Sequence, residues 1–433
     1  MVQSCRRVLS LLLVLIASAS EAQNASAIER FHELQGKLQQ ARKNGNWSAS
    51  LTTAQELEAF LNESPDSLLE MARAEIHVNE LRGASRELEQ FVQMGQVTDL
   101  VERSPEFAAL REQANFSSIQ KGMKLNSTSI SLSSTAFQFS DSALLPEDMD
   151  YDSRAKRFLI TSVREKKIVS SNLAGTLHDF AKAPDGWPML AIKVDAQRQI
   201  VWATEVALQG FVFAPASDWG RSALLCYALK NGKLLRRIEA PRGAALGDMA
   251  LMNNGDVIVS DGEGGGVYRL PVNGQTLERL DDGQFISPQT PAIHPDGKHV
   301  FVPDYVRGIG VLEIATRRVN WLSMEGRFAL NGIDGLYYDL GTLIAVQNGT
   351  SPERVIAFAL DPTLAKIAAE KIIERSTETL GDPTHGVVIG EDFYYIANSG
   401  WDILDEHGNI KPGTKSSVPR VMRINRGAFL TRN

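Results

Sequence analysis

Residues 331–346 read NGIDGLYYDLGTLIAV, and the fold turns on how this stretch is read. Asn331 and Gly332 make a turn, and a short strand begins near Asp334. A tight turn runs from Asp339 to Gly341, and a second strand from Leu343 to Val346. Alone, this is one β-hairpin with a carboxylate at its mouth. Five other stretches have the same form: DMDYDSRAKRFLITS (148–162), PMLAIKVDAQRQIVWAT (188–204), DMALMNNGDVIVSD (248–261), PAIHPDGKHVFVPD (291–304) and HGVVIGEDFYYIAN (385–398). Each gives an apolar strand, a polar turn, a strongly apolar strand and then a small or acidic residue. A third strand follows each of the first five, at 167–170, 223–229, 266–270, 308–314 and 355–360. Recurrence every 40–60 residues, with about four strands per unit, is the pattern of propeller blades.

Closure of the ring needs one more strand. The last hairpin is followed only by Val418 to Ile424, so the final blade lacks its outer strand. Residues 130–139, with alternation at Ile130, Leu132 and Ala136-Phe137-Gln138-Phe139, can supply it and leave no open sheet edge. The expectation is a six-bladed β-propeller over 128–428, with 130–139 beside 418–424. Two connections, 207–222 and 399–417, are far longer than hairpin loops and carry Trp219 and Trp401; they are candidate pocket walls.

The chain before the propeller is different. In 25–122, apolar residues recur at helical spacing, at Ile28, Phe31, Leu34 and Leu38, and again at Leu68, Leu69, Met71, Ala72 and Ile76. Ser64-Pro65-Asp66 is a helix start, and Gly83 is expected to separate that helix from one ending near Gly95. Small alanines at 41, 54, 72, 74 and 84 let antiparallel helices approach. The region resembles tetratricopeptide-type helical hairpins, and SPEFAALRE (104–112) resembles the closing helix of such arrays. The fold class expected is therefore mainly β, a six-bladed β-propeller preceded by tetratricopeptide-like hairpins. The helical part reads either as a cap on the propeller or as a groove for a protein partner.

Residues 1–22 read as a signal peptide: Arg6 and Arg7, an apolar run from Leu9 to Ala17 too short to span a bilayer, then small residues for cleavage. The mature protein is expected to be exported, periplasmic or secreted, with no membrane contact after cleavage. Hydrophobic residues make up 43% and charged residues 22% of the 433, as in globular proteins. The net charge of −7 argues against a nucleic-acid partner. Cys5 lies in the signal, which leaves Cys226 alone; no internal disulfide or cysteine-based metal site can form.

Innermost strands of a propeller begin around its channel, so their first residues converge. Here these are Glu147/Asp148, Trp187/Pro188, Asp248, Gln289/Thr290, Asp334 and Thr384/His385. Several carboxylates brought together repel, and a cation or raised pKa values would stabilise them. A cation there would activate an ester or lactone carbonyl, and Asp334 or His385 could take a proton. Asp334 can equally be a turn-capping residue, and His385 a structural hydrogen-bonder. His294 and His299 flank a PDG turn and read as exposed. No GxSxG or HExxH motif is present.

Residues 128–428 resemble the regucalcin/gluconolactonase family of six-bladed propellers. Glu147 in LLPEDMDYD, Asp334 in IDGLYYDLGTLIAV and PDGKHVFVPD (295–304) carry the likeness, and ANSGWDILDEHGNIKPG is similar to the final blade of exported bacterial members. The resemblance implies a divalent metal, often calcium, at the channel mouth. Glu147 and Asp334 match its ligands. Gly247-Asp248 stands where the family has Asn-Asp, and Gln289-Thr290 where it has Asn-Gly; Asp248 and Gln289 still offer oxygens. The expected metal ligands are thus Glu147, Asp248, Gln289 and Asp334, with Asp334 and His385 catalytic. Two functions follow: an exported metal-dependent hydrolase of lactones or related esters, with its small substrate in the channel mouth, or a non-catalytic propeller that binds ligands or proteins.

Overall fold

A computed structural model describes residues 26–324, 328–415 and 417–429. The expected signal segment, 1–22, lies outside these residues.

The quoted stretch forms the hairpin Gly335–Asp339 with Thr342–Gln347, in which Asp339 faces Thr342. Leu340 and Gly341, between them, both have positive φ, 48° and 82°. That is the type I′ geometry whose twist matches the strands, and glycine is the residue that adopts it without strain. The same antiparallel pairing recurs in six sheets. Blade 1 is Pro146–Asp152, Arg157–Ser162, Lys167–Ser171 and Leu177–Lys182. Blade 2 is Met189–Asp195, Ile200–Val206, Ser222–Ala228 and Leu234–Glu239. Blade 3 is Leu246–Leu251, Val257–Asp261, Gly266–Leu270 and Glu278–Arg279. Blade 4 is Ala292–Ile293, His299–Asp304, Gly308–Glu313 and Val319–Trp321. Blade 5 adds Arg354–Leu360 and Ile367–Arg375 to the quoted hairpin. Blade 6 is Gly386–Ile389, Asp392–Ile396 and Arg420–Asn425.

First strands of successive blades touch in every case, including the sixth with the first, so the ring is closed around a central channel. Second strands such as Thr342–Gln347 are buried along their whole length because each blade is covered on both faces. This is why they read as unbroken apolar runs.

The closing strand differs in part from expectation. Ser134–Gln138 does pair with Arg420–Asn425, as the fourth strand of blade 6. Ile130–Ser131 pairs instead with the outer strand of blade 5, Ile130 opposite Arg375. One segment therefore clasps two neighbouring blades.

Seven α-helices precede it among the described residues. Ala27–Lys43, Trp47–Leu61, Pro65–His77 and Leu81–Gln93 pack in succession, and Phe116–Asn126 closes against the fourth. Ser26 and Glu29 form a capping box, and Pro65 stands at the expected helix start. Gly83 lies inside a helix, not between two. A Cβ there would come within 2.5 Å of Glu75 Oε1, so the glycine serves helix approach. SPEFAALRE is also not one helix: it is a 3₁₀ turn at Pro105–Phe107 and a single helical turn, Ala108–Arg111. Among the described residues no helix is long and apolar enough to cross a membrane.

Candidate functional site

Glu147 lies in the innermost strand of blade 1 and Asp248 in that of blade 3. Gln289, Asp334 and His385 stand just before the first strands of blades 4, 5 and 6. The topology thus delivers them to the channel from positions far apart in sequence. Glu147, Asp248, Gln289 and Asp334 all line one cavity of about 200 Å³. Glu147, Asp334 and His385 each offer a ligand atom within 4.8 Å of the others.

His385 is almost fully buried, 1% exposed, beside these acids. Its Nδ1 donates to the carbonyl oxygen of Glu147 (2.9 Å), and its Nε2 donates to Asp248 Oδ1 (2.5 Å). The ring therefore ties blade 6 both to its neighbour, blade 1, and to blade 3. Thr384 Oγ1 also donates to the Glu147 carbonyl (2.8 Å), and Thr290 Oγ1 to Asp248 Oδ1 (3.1 Å). Asn348 Nδ2 donates to Asp334 Oδ2 (2.8 Å), and Trp401 Nε1 donates to Glu147 Oε2.

These bonds take one oxygen of each acid. Among the described residues no hydrogen-bond donor takes Glu147 Oε1, Asp248 Oδ2 or Asp334 Oδ1. Gln289 gives its amide nitrogen to Ser287 O and Oγ (3.2 and 3.0 Å), which leaves its carbonyl oxygen as the acceptor. The donor set is all oxygen, three carboxyl groups and one amide carbonyl, which fits a hard divalent cation such as calcium.

The electrostatics agree with this chemistry. Burial, then the neighbouring charge of Asp334, pushes Glu147 up to about 8, against the pull of His385. Burial pushes Asp334 up to about 6, against His385 and with Asp248. Burial works against a charged His385, but the carboxylates of Asp334 and Asp248 outweigh it and hold its pKa well above the ordinary value. Both ring nitrogens are engaged, one with the Glu147 carbonyl oxygen and one with Asp248. The geometry places His385, expected as a catalytic group, where it holds Asp248 and the Glu147 backbone.

Other ring candidates are turned elsewhere. Asp148 Oδ2 accepts from Ile192 N (2.8 Å) and Lys193 Nζ (2.6 Å), binding blade 1 to blade 2. Trp187 is buried with Ala207 and Ala214. The two long loops do meet near the mouth. Val212 N donates to His407 O (2.9 Å), and Trp401 packs in an apolar cluster with Leu190, Phe213 and Ala245. Trp219 is 38% exposed and bonds Ala214 O in its own loop, so it is no part of that wall. Sequence reading passed over Glu263, which lines the cavity and is pushed up to about 6 by burial and by Asp261. Its signal was a second acid inside the glycine-rich run DGEGGG.

Fold and site define a six-bladed propeller with an acidic, oxygen-lined channel mouth. No protein-family model matches the sequence, and no curated protein does. Solved structures match at low identity. An oxidoreductase (glucose dehydrogenase) from Thermus thermophilus aligns at 17% identity and a TM-score of 0.45, over 67% of this chain and 98% of its own. The PQQ-bound form of aldose sugar dehydrogenase from Streptomyces coelicolor aligns at 15% and 0.47, over 69% and 98%. Virginiamycin B lyase from Staphylococcus aureus aligns at 12% and 0.43, over 67% and 98%. Such likenesses say nothing about chemistry.

Proposed function

We propose that the protein is an exported, divalent-cation-dependent hydrolase of lactones or related esters, with calcium as its cation. The observation that carries this reading is the cavity in which Glu147, Asp248, Gln289 and Asp334 each keep an oxygen without a donor among the described residues. Those four residues would hold the ion. When bound, it supplies Lewis-acid polarisation of a carbonyl and lowers the pKa of water. Asp334 takes a proton from water as the water attacks the carbonyl carbon, and returns it to the alcohol oxygen as the C–O bond breaks. His385 holds Asp248 and the Glu147 backbone in place throughout. Leu190, Leu208 and Ala245 give the substrate an apolar wall. The basic, apolar and small-residue order of residues 1–22 supports export.

The test is thermal unfolding of the full chain with calcium, magnesium, manganese or chelator, alongside hydrolysis of a simple γ-lactone. A cation that binds only the folded state stabilises it by about 2.7 kcal/mol at a hundred times its dissociation constant. Asp334→Asn keeps the shape and loses the charge, so it should weaken the shift and abolish hydrolysis. No shift of the wild type with any of the three cations would end the metal-hydrolase reading and leave a ligand-binding propeller.

A further inference from the structure

The hairpin turn of blade 4 reads His294-Pro295-Asp296-Gly297-Lys298-His299 and carries a second group of ligand atoms. His294 and His299 face each other across the strands, with His294 N donating to His299 O (3.0 Å). Asp296 stands at the tip between them. Its Oδ1 accepts from the backbone N–H groups of Lys298 (2.8 Å) and His299 (3.1 Å), which fix the carboxylate. Its Oδ2 then lies 3.1 Å from His294 Nδ1 and 2.6 Å from His299 Nδ1. The His294 ring is held edge-on by Phe301 and Tyr338, at centroid distances of 6.0 and 5.3 Å. One ligand atom from each of the three residues lies within 4.8 Å of the others.

We infer that His294, Asp296 and His299 form a surface site for a borderline divalent metal ion, zinc or a similar transition metal, separate from the channel mouth. Bonds of about 2.0–2.1 Å in a tetrahedral site place neighbouring ligand atoms roughly 3.3 Å apart. The two separations to Asp296 are within an ångström of that value, so small ring movements complete the geometry. Two imidazoles and one carboxylate suit zinc, nickel or copper, in contrast to the all-oxygen mouth, which suits calcium. The side chains of His294, Asp296 and His299 are 20%, 31% and 31% exposed, which gives the ion an entry path and solvent a fourth position. The backbone bonds fix the Asp296 carboxylate, and His294 Nδ1, which accepts from Asp296 N (3.3 Å), turns from that bond to reach the ion.

The experiment is titration of the untagged full chain with zinc by calorimetry, and with cobalt followed by its visible absorption. The expected result is one zinc per chain at this turn, and cobalt bands with the intensity of a tetrahedral site. His299→Ala should weaken zinc by more than about 100-fold, since loss of even an outer-shell partner costs about 10–100-fold. His294→Gln should weaken it similarly, and Asp334→Asn should leave it unchanged. Melting curves in chelator check that each variant folds. Absence of zinc binding by the wild type would overturn the inference. So would zinc binding that survives both histidine substitutions, or that is lost in Asp334→Asn instead.

Discussion

Glu147 and Asp334 keep their protons to higher pH when folded than ordinary carboxylates do, up to about 8 and about 6. In the unfolded chain both release them near pH 4. Raising the pH between those limits therefore favours the unfolded state. His385 acts in the same direction: its folded pKa is raised, so its contribution is complete below about 6.5 and is lost as pH climbs through the folded value. Glu205 and Glu353, each pushed up to about 8 by burial first, add the same sign. In chelator, the melting temperature should fall from pH 5 to pH 8. Calcium should oppose that fall most strongly at pH 8, because it binds the ionised acids. Scanning calorimetry at several pH values checks this, and a rising melting temperature in chelator would count against it. Glu147 and Asp334 were legible in sequence because each opens a recurring hairpin. The His385 bond to Asp248 was not, because 137 residues separate the partners and no local pattern records the pair. Trp401 and Glu147, 254 residues apart, were hidden for the same reason.

At the scale of elements, the segment from Ile130 to Gln138 is the part on which ring closure rests. Phe137 is 5% exposed, and its ring packs 5.1 Å from Phe158 of blade 1 and 5.4 Å from Phe139. Phe137→Ala should cost about 3–5 kcal/mol, the range for a buried aromatic truncated to alanine. Hydrogen exchange should then quicken first along 134–138 and 420–425, where the clasp lies. Uniform loss of protection over all six blades would sink that expectation. The alternation of 136–139 made the strand visible in sequence. Its division between two blades was not visible, because the alternation at Ile130 and Leu132 reads as one strand with 136–139, and the register shifts between Thr135 and Phe137. Blade 4 was harder still: its first strand is only Ala292–Ile293, so its place rests on the second strand, His299–Asp304.

In the whole molecule the helices have cores of their own, such as Ala72, Ala84, Leu88, Phe107 and Ile119. They also share packing with the propeller. Ile286 joins the cluster of Phe31 and Leu34, and Ala329 joins that of Leu68 and Phe91. Arg354 is fully buried in blade 5, with Nη1 donating to Gly95 O (3.4 Å) and Nε to Gln347 Oε1 (2.6 Å). A fragment of residues 26–128 should give a helical circular dichroism spectrum yet melt below the intact chain, because it keeps its own core and loses this seam. A fragment without helical signal would mean that the propeller is needed for the helices to form.

The clasp also has a consequence in time. Ser134 precedes its neighbour Arg423 by 289 residues. At synthesis rates of about 5–20 residues per second, that separation is roughly 15–60 seconds. During that interval Phe137 has no partner strand, and every blade already made stands in a ring still open on one side. The seal between first and last blades therefore waits on Arg420–Asn425, however far the blades between them have progressed.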